Sequence, residues 1–247
     1  MICYVTFDMC IPIIKYPGII LELEPKELSF EIESLLMCMD DALIESALSL
    51  SWFNNSMNKH SEIVSNGYEQ NFKSSSGISK ESIKRIINSE IDSLENFLVE
   101  KKYKERFESD ILPVKYVNKE LHIHANTFLF SVSKFSSVLF TLNNDYELNE
   151  DIESIFKSFN SSIPDVYRIR NSAQHMNDRV RGLGRNNEKL NTGIYLNNLS
   201  GNKLGYTVDD GSISHIEISL KTLKVLENSL QKVINSFEWS GPLHITT

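Results

Sequence analysis

The apolar positions along the chain change period several times, and each change predicts a new element. Residues 2–14 and 18–23 read as two short strands, divided by the turn signal Pro17-Gly18. From Pro25 to about Trp52 the apolar residues Leu28, Ile32, Leu35, Leu36, Met39, Leu43 and Ala47 recur at three- and four-residue steps, the period of a helix with one buried face. Residues 54–80 are polar and end in KSSSGISK, which predicts a flexible loop. Ile83, Ile87, Ile91, Leu94 and Leu98 then predict a second helix over about 79–107. Leu121, Ala125, Phe128, Leu129, Val132, Phe135, Leu139 and Leu142 predict a third, over about 119–142. Phe130, Val138 and Phe140 widen this third stripe, as expected for a helix central to a bundle.

A fourth helix begins near Ile152 and carries Ile155, Phe156 and Phe159. Pro164 restarts the chain, because proline suits a first helical turn and not an interior. Val166, Ile169, Ala173, Met176 and Val180 predict the next buried stripe, from Asp165 to about Val180, with Gly182 and Gly184 ending it. GIYLNN, KLGYTV and SISHIEIS alternate with period two and predict an antiparallel meander at about 192–218. A last helix, about Ser219 to Phe237, carries Leu220, Leu223, Leu226, Leu230, Val233 and Ile234. The fold expected is mainly α, a helical bundle with small antiparallel β additions near the N-terminus and at 192–218. It is read as one domain over 1–247, with a core at about 80–240 and residues 1–79 packed on it.

Composition supports this picture and narrows the function. With 247 residues, 41% hydrophobic and 23% charged, the chain has the material for a sizeable core without metal or disulfide staples. No run of 18 apolar residues predicts a membrane span. The first residues lack a positive segment before their apolar stretch and read as strand, not as a secretory signal. Cys3, Cys10 and Cys38 are odd in number and have no CxxC spacing, which predicts free thiols and a cytoplasmic protein. The net charge of −8 argues against a general nucleic-acid coat protein.

Charge is distributed unevenly, however. Five of the seven arginines (Arg168, Arg170, Arg179, Arg181 and Arg185) fall within 18 residues, with Asp178 the only acid among them. Arginine suits bidentate phosphate recognition. The same residues also fit a solvated helix end, where cations complement the dipole. Within this segment Asn171 and His175 are four apart and share one helix face. Arg170 lies about 140° round the wheel from His175, near enough for a long side chain to swing toward it. Histidine exchanges protons near neutrality, and a guanidinium stabilises a phosphate oxyanion. The three together fit attack of a ribose 2′-hydroxyl on its own phosphate, because RNA supplies its own nucleophile.

Other candidate chemistry is weaker. His122 and His124 point to different faces of the predicted helix and have no third ligand at metal spacing. Glu31, Glu33, Asp40 and Asp41 read as a polar helix face. Gly182 and Gly184 follow no strand, so a phosphate loop fails on context. No metal and no cofactor is expected.

Arg170-Asn171-Ser172-Ala173-Gln174-His175 resembles the RNxxxH signature of the HEPN superfamily of helical domains, and Tyr167-Arg168-Ile169 and Asp178-Arg179 resemble its surroundings. The resemblance covers about 120–185, and loosely 80–240. It implies a metal-independent endoribonuclease, dimeric through the motif helix, acting on RNA. By position, His175 is then the proton-transfer residue, Arg170 stabilises the scissile phosphate and Asn171 orients either. Arg168, Arg179, Arg181 and Arg185 would bind flanking phosphates, a role inferred from charge alone. Family members include toxins and antiviral effectors restrained by a partner such as a nucleotidyltransferase-like antitoxin. Others bind RNA or nucleotides without turnover, and that reading stays open beside the catalytic one, as does a purely structural helical domain.

Overall fold

The computed structural model describes residues 11–75, 114–146, 148, 150–190 and 193–246. Among these it is mainly helical with small antiparallel sheets. Two short strands, β1 (Ile14–Tyr16) and β2 (Ile20–Leu21), lead into the helix α1 (Lys26–Ser75). Helices α2 (Val114–Asn144), α3 (Glu150–Ser162), α4 (Val166–Gln174) and α5 (Met176–Val180) come next. Then come β3 (Asn198–Ser200), β4 (Lys203–Thr207), β5 (Ile213–Glu217), the helix α6 (Leu220–Asn235), β6 (Trp239–Ser240) and β7 (His244–Thr246). No helix among the described residues is long and apolar enough to cross a membrane.

The chain divides into two compact units. One holds residues up to Trp52 and from His122 onward, and the other holds Phe53–Leu121. In the smaller unit Phe53, Val117 and Leu121 are buried, and Lys59 Nζ lies 4.0 Å from Glu120 Oε1.

The larger unit carries the candidate site. Its core is built from the stripes the periodicity marks. Ile32, Leu36, Met39 and Leu43 of α1 are buried, as are Phe128, Val132, Phe135 and Leu139 of α2. So are Ile152 and Phe159 of α3 and Leu223, Leu226, Leu230 and Val233 of α6. Phe135 and Phe159 stack at 5.5 Å between ring centroids, the offset contact that aromatic quadrupoles favour. Helix α6 starts from Ser219, whose hydroxyl accepts from the Thr222 N–H.

Two expectations need correction. Residues 54–75, predicted as loop, are helical, because α1 continues to Ser75; residues 76–80 lie outside the described residues. Polar side chains do not end a helix by themselves; the stretch has no proline and one glycine, which a helix tolerates at about 1 kcal/mol. Among the described residues the N-terminal strands are Ile14–Tyr16 and Ile20–Leu21, and they pair with the C-terminus, where the sequence predicts no strand. β1 runs antiparallel to β7 and β2 to β6. Gln231 of α6 holds β1 by accepting from the Lys15 N–H at 2.9 Å and donating to the Lys15 carbonyl at 2.8 Å. The helix predicted at 79–107, residues 2–10 of the first strand, Cys3 and Cys10 lie outside the described residues. Cys38 is an exposed free thiol.

The meander is present as β3–β4–β5, with its first strand shifted toward the C-terminus. Asn197 adopts a left-handed φ of 49°, which turns the chain between GIYLN and β3. Its side chain enters a polar cluster under the meander. The Tyr206 hydroxyl donates to Asn126 Oδ1 at 2.6 Å, and Asn126 Nδ2 donates to Asn197 Oδ1 at 2.8 Å. His122 Nδ1 lies 3.3 Å from the same oxygen. His122 thus has a structural partner, and His124 rests against the Trp52 ring at 5.7 Å.

Burial pushes the Tyr206 phenol up to about 12, against the opposing hydrogen bond to Asn126. An unfolded phenol ionises near pH 10. The folded state therefore favours the protonated ring, and this contribution is complete below pH 10 and lost as pH rises through 12. Tyr206→Phe is expected to lower unfolding stability by about 1–3 kcal/mol at neutral pH, since it strips a buried amide oxygen of its donor. The variant should also lose less stability than the wild type between pH 10 and 12, measured by denaturant titration across that range.

Candidate functional site

The motif segment starts where Pro164 and Asp165 redirect the chain after α3. Asp165 takes a left-handed φ of 60° and its carboxylate accepts from the Ser214 hydroxyl at 2.8 Å, tying the start of α4 to β5. Val166, Ile169 and Ser172 form the buried face of α4. Tyr167, Arg170, Asn171 and Gln174 lie on its outer side.

The helix does not run on to Val180 as its periodicity predicts. It breaks at His175, which has φ −93° and ψ 35°. The His175 N–H still donates to the Asn171 carbonyl at 2.9 Å, while its own carbonyl accepts from Asp178 and Arg179 at 3.1 and 3.2 Å. One residue thus ends α4 and begins α5. The break shifts the helical phase of α5 relative to α4. Val180, predicted in the core, is 60% exposed, and Arg179, predicted on the surface, is only 5% exposed. Arg179 Nε donates to Ser172 Oγ at 3.3 Å and Nη1 donates to the Leu183 carbonyl at 2.5 Å.

Beyond α5 the chain turns at Gly182 (φ 72°) and passes close under the β4–β5 turn. A Cβ on Gly184 would stand 2.6 Å from the Asp209 carbonyl oxygen and 2.7 Å from a Leu190 methyl, so only glycine fits there. The approach brings the Arg185 N–H to the Asp209 carbonyl at 3.3 Å.

These elements enclose a cleft of about 810 Å³, within the range of small-ligand sites. Tyr167, Asn171, His175, Asp178, Arg179 and Arg185 line it, together with Arg168, Asn187, Asp209 and Asp210. The His175 side chain is 64% exposed, and Nδ1 lies 3.8 Å from Asp178 Oδ2, beyond hydrogen-bond reach.

No family model matches the chain, and no curated protein or solved structure matches it either. Its site is therefore read from its own geometry.

The five clustered arginines have separate fates. Arg168 is fixed by carboxylates: Nη2 lies 2.7 Å from Asp209 Oδ1 and 2.5 Å from Asp210 Oδ2, and Nε donates to Asp209 at 2.9 Å. Hydrogen bonds to Asp209 and Asp210 raise the guanidinium above its ordinary value. The Ser212 hydroxyl and N–H, then Arg168, hold the Asp210 carboxyl well below the usual range. Arg170 is not among the cleft residues. Its Nη1 donates to Gln174 at 2.7 Å, its Nε to Ser133 at 3.3 Å, and its guanidinium carbon lies 4.9 Å from the Tyr167 ring centroid. Arg181 is exposed, with Nη1 3.9 Å from Asp178 Oδ1, and is also not among the lining residues. Arg179 and Arg185 line the cleft, and no carboxylate among the described residues forms an ion pair with either.

Of the three residues read as catalytic, the structure brings Asn171 and His175 into one cavity and leaves Arg170 beside it. Asn187, Asp209 and Asp210 are cleft residues that the sequence does not single out, and Tyr167 and Asp178 are marked there only as surroundings of the motif. Asp178 has a signal in sequence, three residues after His175 on the next helical turn. Asp209 and Asp210 read in sequence as part of a turn separating strands, and nothing local points them at the motif. Among the described residues no three His, Cys, Asp or Glu side chains stand together as a metal site. Asp165, Asp209 and Asp210 surround a guanidinium instead.

Arg179 holds both walls through neutral partners. Arg179→Ala is expected to cost about 2 kcal/mol, because it leaves the Ser172 hydroxyl and the Leu183 carbonyl without a donor. Arg179→Lys should restore only part of this, having no fork to span both acceptors. Urea unfolding of the two variants beside the wild type measures it.

Proposed function

We propose that the protein is a metal-independent endoribonuclease of HEPN type, with RNA cleaved by attack of the ribose 2′-hydroxyl on the adjacent phosphate. The observation that carries this reading is the cleft shared by an exposed histidine, an asparagine one turn away and two arginines, Arg179 and Arg185, that have no carboxylate partner among the described residues. A cation held in place by a hydroxyl and a carbonyl keeps its charge for an anionic ligand, and phosphate is the anion arginine grips best.

In this reaction His175 takes the proton of the 2′-hydroxyl. The 2′-oxygen forms a bond to phosphorus, the bond from phosphorus to the 5′-oxygen breaks, and that oxygen leaves with a proton from a protonated imidazole. The products are a 2′,3′-cyclic phosphate and a 5′-hydroxyl. Arg179 and Arg185 stabilise the charge that grows on the phosphate oxygens, and Asn171 orients the imidazole or the phosphate. The RNxxxH resemblance supports a homodimer in which two motif helices meet. There the second copy's His175 supplies the leaving-group proton, and Arg170, from its place beside the cleft, adds positive charge toward the phosphate between the copies.

A binding module without turnover is the second reading. It is favoured by the position of Arg170 beside the cleft and by the commitment of Arg168 to Asp209 and Asp210.

The test is cleavage of a labelled single-stranded RNA in EDTA, with a control oligonucleotide lacking 2′-hydroxyls. The expected result is cyclic-phosphate products from the RNA alone, and a loss of about 10²–10⁴ in rate in His175→Ala with the fold retained. Cleavage that survives in His175→Ala overturns the mechanism, and binding without cleavage by the wild type favours the second reading. Arg170→Ala should cost nearly as much as His175→Ala if the phosphate lies between two copies, and little if each cleft works alone. Solution mass and the concentration dependence of the rate distinguish those arrangements.

A further inference from the structure

The cleft contains an aromatic ring that the cleavage reaction does not use. Tyr167 is 60% exposed and lines the cavity, one helical turn before Asn171 and two before His175. Exposed rings are common on protein surfaces and need no explanation when they stand alone. This one does not stand alone. The Arg170 guanidinium lies 4.9 Å from its centroid and is itself anchored at 3.3 Å to Ser133 and at 2.7 Å to Gln174. The ring is therefore braced from outside the cavity while the rest of it lines the cavity wall. A braced ring loses little freedom when something stacks on it, so contact there converts efficiently into affinity.

The rise from Tyr167 to His175 is about 12 Å over eight residues, if the helical spacing is carried through the break. That spacing suits a base next to the scissile phosphate. Between the two positions the lining offers a side-chain amide, Asn171, and beyond them another, Asn187. An aromatic face, amides that can meet base edges, and arginines for phosphates together describe a site for an unpaired nucleotide.

We infer that Tyr167, braced by Arg170, is a stacking platform for an unpaired base flanking the scissile phosphate. The inference rests on the reading of this cleft as an RNA site. A base inside a duplex has both faces covered by its neighbours and cannot occupy the platform. Stacking also tolerates any base, so Tyr167 selects strandedness more than sequence.

The experiment measures binding of a short 2′-fluoro single-stranded oligonucleotide, which lacks the attacking hydroxyl, to the full chain. Tyr167→Ala is expected to weaken binding about 5- to 150-fold, the range equivalent to the stacking of one base. Tyr167→Phe should stay within about twofold of wild type, because it keeps the ring. Removing one base at a time from the oligonucleotide should reveal one position that costs the wild type the same factor and costs Tyr167→Ala almost nothing. A duplex of the same sequence should bind the wild type more weakly than the single strand. The inference is overturned if Tyr167→Ala binds like the wild type, if Tyr167→Phe is as weak as Tyr167→Ala, or if the duplex binds as well. These outcomes leave the RNA reading standing. If the wild type binds neither form, the RNA reading itself falls and the platform falls with it.

Discussion

The site depends on the inward turn of one guanidinium. Arg179 bonds Ser172 on the buried face of α4 and the carbonyl of Leu183 in the segment after α5. Those two attachments lie on opposite sides of the break at His175. With them made, the chain after the break returns under the β4–β5 turn, and the gap between α4 and that returning chain is the cleft. The break needs the arginine as much as the arginine needs the break. A straight helix would carry Arg179 on a different face from Val180 and keep the valine in the stripe with Ile169, eleven residues earlier. The folded chain does the reverse, exposing the valine and burying the arginine.

Five arginines close in sequence would form a single positive surface only if each kept its charge free. The structure divides them instead. Arg168 is spent on Asp209 and Asp210, and that ion cluster joins the motif helix to the meander. Its members are partly solvated, so its contribution to stability is small, and its value lies in fixing the position of the turn. Arg170 braces an aromatic ring, and Arg181 stays at the surface near Asp178. The remaining two face the cleft. The positive character available to a ligand is thus narrower than the sequence suggests, with Arg179 and Arg185 lining the cavity that holds the histidine.

The range of local forces decides how much of this is legible in the sequence. Helices α2, α3 and α6 are legible because each buries one stripe, and Phe128, Phe135, Phe159, Leu226 and Leu230 sit inside as their spacing requires. Periodicity fails where a tertiary bond outweighs it: nothing in VYRIRNSAQHMNDRV announces that Ser172 will accept from Arg179 and so rotate the turn between them. It fails again at residues 54–75, where a polar composition does not mean the absence of a helix. The pairing of β1 with β7 is invisible for a different reason. Strands of two or three residues have too few positions to show alternation, and their partner lies more than two hundred residues away. The grouping of Asn171 with His175 is legible, since four residues make one turn. The acids Asp209 and Asp210 are not, since only the folded meander brings them to Arg168.

The distinction between the partners of Arg168 and those of Arg179 decides what the cleft can hold. A guanidinium between two carboxylates is already neutralised, and a phosphate approaching it must compete with groups that cannot leave. A guanidinium held by a hydroxyl and a carbonyl is fixed with its charge intact, and taking it out of water is costly until an anion arrives. An anion would recover that cost, and the place for it is the arginine that the fold has buried with no carboxylate counter-ion among the described residues. His175 is the opposite case. It sits at the break, widely exposed, with its backbone satisfied on both sides and, among the described residues, Asp178 3.8 Å from its ring. Proton transfer asks for that freedom, because the ring must meet a substrate oxygen and then exchange with solvent. A fixed cation and an exposed imidazole in one cavity are the division of labour that the proposed phosphodiester chemistry would use. The break at His175 produces both: it directs Arg179 inward and leaves the imidazole at the surface.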